Sequence, residues 1–320
     1  MTGPDPALVD AVRSGLTAAK KSLLPWMFYD EVGTDLYEQI TRLPEYYLTR
    51  AEAEIFRQHG DAIVASVAEG TTRVALAEIG AGTGAKTTLL LEAVLRRQRT
   101  CTYLACDIST RALTVASTEI PARLPAAEVK TVVGPHEACV DHIRALADRQ
   151  VLLFIGSSIG NYVDEDAIPL LRCMRHGLRG DGALVLGTDL KKDPELLHAA
   201  YDDAAGVTAA FNKNLLTRLN RELDANFDVD AFRHVAEWNA ATSNVELYLE
   251  SIRRQTVTLD RLSLCVALEA GERIHTETSA KYDIPRVDQI LRRAGFGRAR
   301  TFTDAAGLFA VHVARLAPGR

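Results

Sequence analysis

The fifteen residues from Arg73 to Thr87, RVALAEIGAGTGAKT, constrain this chain more than any other stretch. Val74 to Ile79 is a short apolar run bounded by Arg73 and Gly80, the pattern of a fully buried parallel strand. Gly80, Gly82 and Gly84 follow as G-x-G-x-G, and Lys86 to Leu95 then reads as a helix. Glycine permits a tight turn and puts no Cβ between the backbone and a ligand. A strand, a glycine turn and a helix N-terminus in that order make a nucleotide-binding corner. A second strand, Thr102 to Cys106, ends in Asp107, 27 residues after Gly80, where a carboxylate can bond ribose hydroxyls. Glycine-rich loops also occur as plain structural turns, so the ordered set, rather than the loop alone, favours a nucleoside.

The kind of nucleoside narrows further. Dinucleotide enzymes prefer G-x-G-x-x-G, and a phosphate-cradling loop would read G-x-x-x-x-G-K-[ST]; neither is present. Glu78 to Gly84, E-x-G-x-G-x-G with a single downstream Asp, resembles the S-adenosylmethionine site of class I methyltransferases.

More β/α units follow. Ser109 is a plausible cap for the next helix. Val129 to Val133 is a strand ending in Gly134-Pro135-His136-Glu137, and a helix to about Arg149 leads into strand Val151 to Ile155. That strand ends in Gly156-Ser157-Ser158-Ile159-Gly160-Asn161, which should share an edge with the Gly80 loop, where open α/β sheets bind ligands. A helix over 165–179 and a strand from Ala183 to Thr188 complete five units. The alternation then breaks. Pro194 to Ala280 is too long for a β/α connection and reads as a helix from Glu195 to Ala225, a second over Asp228 to Trp238, and strands over 245–253, 257–263 and 272–279. A helix, Pro285 to Ala294, and strands 299–303 and 308–315 close the chain. At the other end, Pro6 to Leu23 reads as a surface helix. Trp26 to Arg50 is an aromatic-rich segment, a helix runs from Arg50 to about Val67, and a Gly70-Thr71-Thr72 turn enters the first strand.

Composition excludes several classes. A net charge of −5 and the lack of a basic stripe argue against nucleic acid as a partner. No apolar run approaches the roughly 20 residues of a membrane helix, and Met1 to Ala7 lacks a signal-peptide pattern. The five cysteines (101, 106, 139, 173, 265) are scattered, with no C-x-x-C, and read as buried small hydrophobes in a reducing cytoplasm. No metal is expected, and the chain reads as a monomer.

Longer motifs carry a more specific resemblance. Residues 21–50 (KSLLPWMFYDEVGTDLYEQITRLPEYYLTR), GSSIGN (156–161), GTDLKKD (187–193), AYDDAAGVTAAFNKN (200–214), FDVDAFRHVAEWN (227–239) and IHTETSAKY (274–282) together resemble the histidine-specific methyltransferases of ergothioneine biosynthesis. The likeness is collinear over nearly the whole chain. It implies a class I, Rossmann-like α/β fold with a seven-stranded sheet and a second, non-contiguous substrate-binding domain. The expected division is 57–192 plus 284–320 for S-adenosylmethionine, and 1–56 plus 193–283 for the amino acid, with a cleft between the two lobes. It also implies trimethylation of the α-amine of L-histidine to hercynine, with S-adenosyl-L-homocysteine as coproduct. By the same resemblance, Tyr29 lies beside the amine and the methyl donor, and Asn161 and Tyr201 hold the amino and carboxylate groups. Tyr46, Glu277 and Ser279 bond the imidazole, and Leu247 stands in the side-chain pocket. Gly80, Gly82, Lys86, Asp107 and Ser157 take donor positions, with Asp107 on the ribose. Spacing alone makes the tyrosines of Trp26 to Arg50 a subdomain core; the resemblance makes them pocket wall.

The chain departs from the family in places. Pro135-His136 stands where an Asp-Phe pair surrounds the adenine, Tyr37 where phenylalanine is common, and Leu247 where methionine often lies. Relatives act on tryptophan derivatives, but Glu277 and Ser279 favour imidazole, which offers a donor and an acceptor where indole offers one donor. The alternatives are an enzyme of the same fold for another aromatic amino acid and a non-catalytic S-adenosylmethionine-binding protein. No histidine general base is evident: His136, His142, His176 and His198 fall on helices or loops.

Overall fold

The structure, a computed structural model, describes residues 5–70 and 73–317. Residues 71–72 of the expected turn and residues 1–4 of the Met1 to Ala7 stretch lie outside the described residues. The chain divides into two compact units, one of 47–191 with 280–320 and one of 1–46 with 192–279.

The first unit is built on a seven-stranded sheet. Its strands are β1 (Val74–Ile79), β2 (Cys101–Asp107), β3 (Ala127–Val133), β4 (Arg149–Phe154), β5 (Ala183–Asp189), β6 (Phe296–Thr303) and β7 (Phe309–Leu316). The spatial order is β6-β7-β5-β4-β1-β2-β3. β1 to β5 pair in parallel, and β7 runs antiparallel to both β5 and β6. This is the class I methyltransferase sheet. Every residue of β1 and β5 is buried, as expected of parallel strands covered by helices on both faces, whereas edge strand β3 carries both covered and exposed positions. Strand order reverses between β1 and β4, so their carboxyl ends open the crevice where such sheets take ligands. Those two ends carry the Gly80 loop and the 156–161 loop.

The second unit holds, among the described residues, a three-stranded sheet, a hairpin and four α-helices. In the sheet, Asn244–Ser251 lies between Phe232–Asn239 and Arg273–Ala280; the hairpin is Gln255–Leu259 with Leu264–Leu268. Four expectations are corrected here. Residues 232–239 are strand, not helix, because Phe232, His234 and Ala236 point inward in a period of two. The helix expected over 195–225 is two, Pro194–Tyr201 and Val207–Leu223; Gly206 turns at φ 72° and the Asp203 carboxylate caps the Val207 and Thr208 amides. The N-terminal helix stops at Thr17, and the chain folds back so that Ser22 N donates to Gly15 O and Ser22 bridges to His275. The strand read as 257–263 is one arm of the hairpin, closed by Ser263 at φ 48°.

The unit boundaries also differ from those read in the sequence. Tyr47–Val67 is one unbroken helix, which a cut at 57 would divide, and its buried Glu52 accepts from Gly156 N in the sheet unit. Residues 280–283 belong with the sheet because Lys281 pairs with Asp189, and Tyr282 N donates to Asp189 O. Among the cysteines, 101, 106 and 139 are buried, but Cys265 is exposed on the hairpin. Among the described residues no helix is long and apolar enough to cross a membrane.

Candidate functional site

In the sheet unit, the glycine loop is anchored by its own backbone. Gly80 N and Ala81 N donate to Cys106 O, at 2.9 and 3.0 Å, which ties the loop to the end of β2. Gly82 N donates to Asp107 Oδ2 at 2.8 Å, and Ser109 N to Asp107 Oδ1 at 2.8 Å. Gly80, Gly82 and Gly84 all have positive φ. At Gly84 space adds a second demand, since a Cβ would stand 2.7 Å from Ile120 Cδ1, while at Gly82 nothing lies within 4 Å of that position. The loop is therefore packed at its root and open at its tip. Glu78 lies beneath it, accepting from Thr87 Oγ1 and Tyr103 OH, each at 2.5 Å. Burial pushes the Glu78 carboxyl up to about 7. Those bonds make Glu78 the tie between strand and helix.

The neighbouring loop is just as constrained. Ser157 has φ 59°, and its hydroxyl accepts from Asp189 N at 3.0 Å. Tyr282 OH donates to Ile159 O, and a Cβ on Gly160 would stand 3.1 Å from Ala280 O. Asn161 ends this turn and is half-buried. A Cβ on Gly80 would lie 3.8 Å from Ser158 Oγ, so the two loops adjoin. Two charge pairs support them, one wholly buried and one whose Lys86 is a quarter exposed, and the sequence shows neither. Glu52, wholly buried, accepts from Gly156 N and from Lys86 Nζ at 2.5 Å. The pair Lys281 and Asp189 is also wholly buried, Nζ to Oδ2 2.8 Å, with Tyr47 OH donating to the same carboxylate. The partners come from distant parts of the chain, and a lone Glu in an amphipathic helix carries no signal of such a role.

At the end of β3, Pro135 precedes helix His136–Arg144. The His136 ring stands 6.1 Å from Phe154 and 6.1 Å from Tyr162, edge-on to both. Burial lowers its pKa, so at neutral pH the ring is an uncharged aromatic plate.

In the second unit, a pocket collects Tyr29, Tyr37, Ile40 and Tyr46 from the aromatic segment with Ala200 and Tyr201. Helix Val207–Leu223 adds Thr208 and Phe211, and the sheet adds Leu247 and Glu277. Five of the expected residues thus share one wall: Tyr29, Tyr46, Tyr201, Leu247 and Glu277. Ser279 joins them through a 2.7 Å hydrogen bond between its hydroxyl and that of Tyr201. Tyr46 and Tyr201 meet edge-to-face at 6.3 Å. Burial holds the Tyr46 phenol well above its usual range, aided by the neighbouring Tyr37 and Tyr201 and by the Glu277 carboxylate, so it remains a neutral donor. Tyr201 is fixed from behind: His234 Nε2 donates to Tyr201 O at 2.9 Å, and His234 Nδ1 accepts from Asn212 Nδ2 at 2.8 Å. Reading 228–238 as helix hid His234; its alternation with Phe232 and Ala236 would have revealed it.

The family described as histidine-specific, S-adenosylmethionine-dependent methyltransferases matches residues 8–316. A protein of Mycolicibacterium smegmatis named histidine N-alpha-methyltransferase is 42% identical over 96% of this chain and 94% of its own. Its namesake in Mycobacterium tuberculosis is 43% identical over the same shares. Ergothioneine biosynthesis protein 1 of Schizosaccharomyces pombe is 26% identical over 92% of this chain, which spans 39% of that protein.

Proposed function

The chain belongs to the histidine-specific, S-adenosylmethionine-dependent methyltransferase family, and we propose that it trimethylates the α-amine of free L-histidine to hercynine, a step of ergothioneine biosynthesis. The observation that carries the reading is the pocket of four tyrosines, a phenylalanine and one carboxylate, Glu277, with the Tyr201–Ser279 hydrogen bond beside it. A flat ring with two nitrogens suits such walls. Glu277 accepts one ring N–H, and Ser279, whose hydroxyl both donates and accepts, serves the other nitrogen. An indole, with one N–H donor and no acceptor, matches only one of these two groups, and a buried polar site penalises such a mismatch.

The sheet unit fits S-adenosylmethionine. The open backbone at Gly82 admits close approach, and the Asp107 carboxylate keeps lone pairs for hydroxyls beyond its two backbone bonds. We assign Gly80, Gly82, Asp107 and Ser157 to its holding, with Pro135 and the neutral His136 ring toward its base. Lys86 is held by Glu52, and we assign it the donor's carboxylate. When bound, the donor supplies a methyl carried on positively charged sulfur.

The remaining work is positioning and proton release. Holding an amine at attack distance is worth about 7–11 kcal/mol without any further catalytic group. We assign Asn161 and Tyr201 to the amino and carboxylate groups, Tyr29 to the amine, and Tyr46 and Leu247 to the ring. An α-amine titrates near 8, so it must lose a proton before each transfer; water takes it in this reading. A quaternary nitrogen has no lone pair, which ends the sequence. Incubation of the protein with L-histidine and S-adenosylmethionine, read by mass spectrometry, should give a trimethylated product. Turnover of tryptophan or tyrosine in preference to histidine would overturn the assignment.

A further inference from the structure

Helix Val207–Leu223 presents four residues at helical spacing, Phe211, Asn214, Arg218 and Arg221, and all four grip residues 27–30. Phe211 stacks on Phe28 with ring centres 4.5 Å apart and meets Tyr29 edge-on at 5.9 Å. Arg218 Nη1 donates to Met27 O at 2.8 Å. Asn214 Nδ2 donates to Asp30 Oδ1 at 2.8 Å, and Arg221 Nη2 to Asp30 Oδ2 at 2.7 Å. Asp30 also caps the next helix, accepting from Gly33 N at 2.7 Å. Its side chain is 7% exposed. Tyr29 is the one residue between the stacked Phe28 and the triply held Asp30.

We propose that this helix face is a brace for Tyr29, with Asp30 as the positioning residue that couples the two; the proposal rests on the reading of Tyr29 as the amine contact. A cap alone needs one oxygen and no charge. Asp30 spends both oxygens, two of its three bonds run to the helix that also supplies Thr208 and Phe211 to the pocket wall, and the donors are an amide and a guanidinium. Asparagine at this position has a single acceptor oxygen, so its amide nitrogen would face either Asn214 or Arg221, both donors. One bond must break, and the Tyr29 main chain gains freedom. A displacement of order 1 Å in a reacting site costs up to about a hundredfold in rate.

The test uses the full chain with Asp30→Asn, Arg221→Gln and Tyr29→Phe, alone and as Asp30→Asn/Tyr29→Phe. The brace predicts a fall in kcat of about tenfold or more for Asp30→Asn and Arg221→Gln, with KM for S-adenosylmethionine within twofold of wild type. In the Tyr29→Phe background, Asp30→Asn should cost less than about threefold, because there is no hydroxyl left to misplace. A loss that multiplies in full, or wild-type kcat in both brace variants, overturns the proposal. Arg221, half-exposed, carries the test if Asp30→Asn does not fold. Ring NMR of labelled tyrosine separates the two readings: an unshifted Tyr29 signal in Asp30→Asn sinks the brace, whereas a shifted signal with normal turnover by Tyr29→Phe supports the brace and removes the amine contact.

Discussion

Gly33→Ala is the substitution for which helix propensity and packing give opposite signs. Gly33 lies inside helix Glu31–Ile40, where alanine would stabilise by up to about 1 kcal/mol on propensity alone. A Cβ there would stand 1.7 Å from Phe28 O, against a floor near 3.0 Å, so atoms must separate by about 1.3 Å. Phe28 cannot yield cheaply: it is 1% exposed, it stacks on Phe211, and its carbonyl accepts from Asp30 N. Overpacking of this kind costs about 1–3 kcal/mol, so packing wins and the net change is destabilising by about 0–2 kcal/mol. The same displacement falls on the residue before Tyr29. The expected result is a modest drop in the unfolding midpoint with kcat down by up to about a hundredfold. Steady-state assays with L-histidine, beside urea unfolding followed by circular dichroism, read both. A more stable variant with wild-type kcat would refute the reasoning.

His312 is wholly buried in β7, with Thr188 Oγ1 2.9 Å from Nε2 and Thr301 Oγ1 2.9 Å from Nδ1. Burial, aided by Arg298, lowers its pKa from 6.5 to about 4, so the native state excludes a proton that the unfolded chain accepts. Stability is therefore full above about pH 6.5 and falls by about 3 kcal/mol on acidification to about 4; His312→Gln, which cannot ionise there, should remove that component, and parallel pH profiles for the two proteins would count against it. Glu277→Gln should raise KM for histidine about 10- to 100-fold, the worth of a charge-assisted hydrogen bond, with little change in donor affinity; an unchanged KM contradicts the role given to Glu277. Gly187→Ala would place a Cβ 2.4 Å from Glu52 Oε1, dislodging the carboxylate from Gly156 N and Lys86. Calorimetry should then show weaker binding of S-adenosylhomocysteine, and wild-type affinity would show that the Glu52 pair does not set the donor site.

What the linear chain determined by itself was the sheet unit and the type of chemistry. Buried parallel strands are continuous apolar runs, and a glycine loop between strand and helix is a local pattern, so β1, its loop and Asp107 are legible without neighbours. The family motifs reached Tyr29, Tyr46, Tyr201, Leu247 and Glu277, which share one pocket. Tertiary structure alone decided where apolar and helical periods compete: 228–238 contains enough helix formers to mislead, until pairing with Asn244–Ser251 selects the strand. It alone decided the supports as well. Glu52 with Lys86, Lys281 with Asp189, His234 behind Tyr201, and Asp30 with Arg221 join residues 33 to 191 positions apart. A polar side chain in sequence looks the same whether it faces solvent or is buried against a partner, and only the fold distinguishes the two.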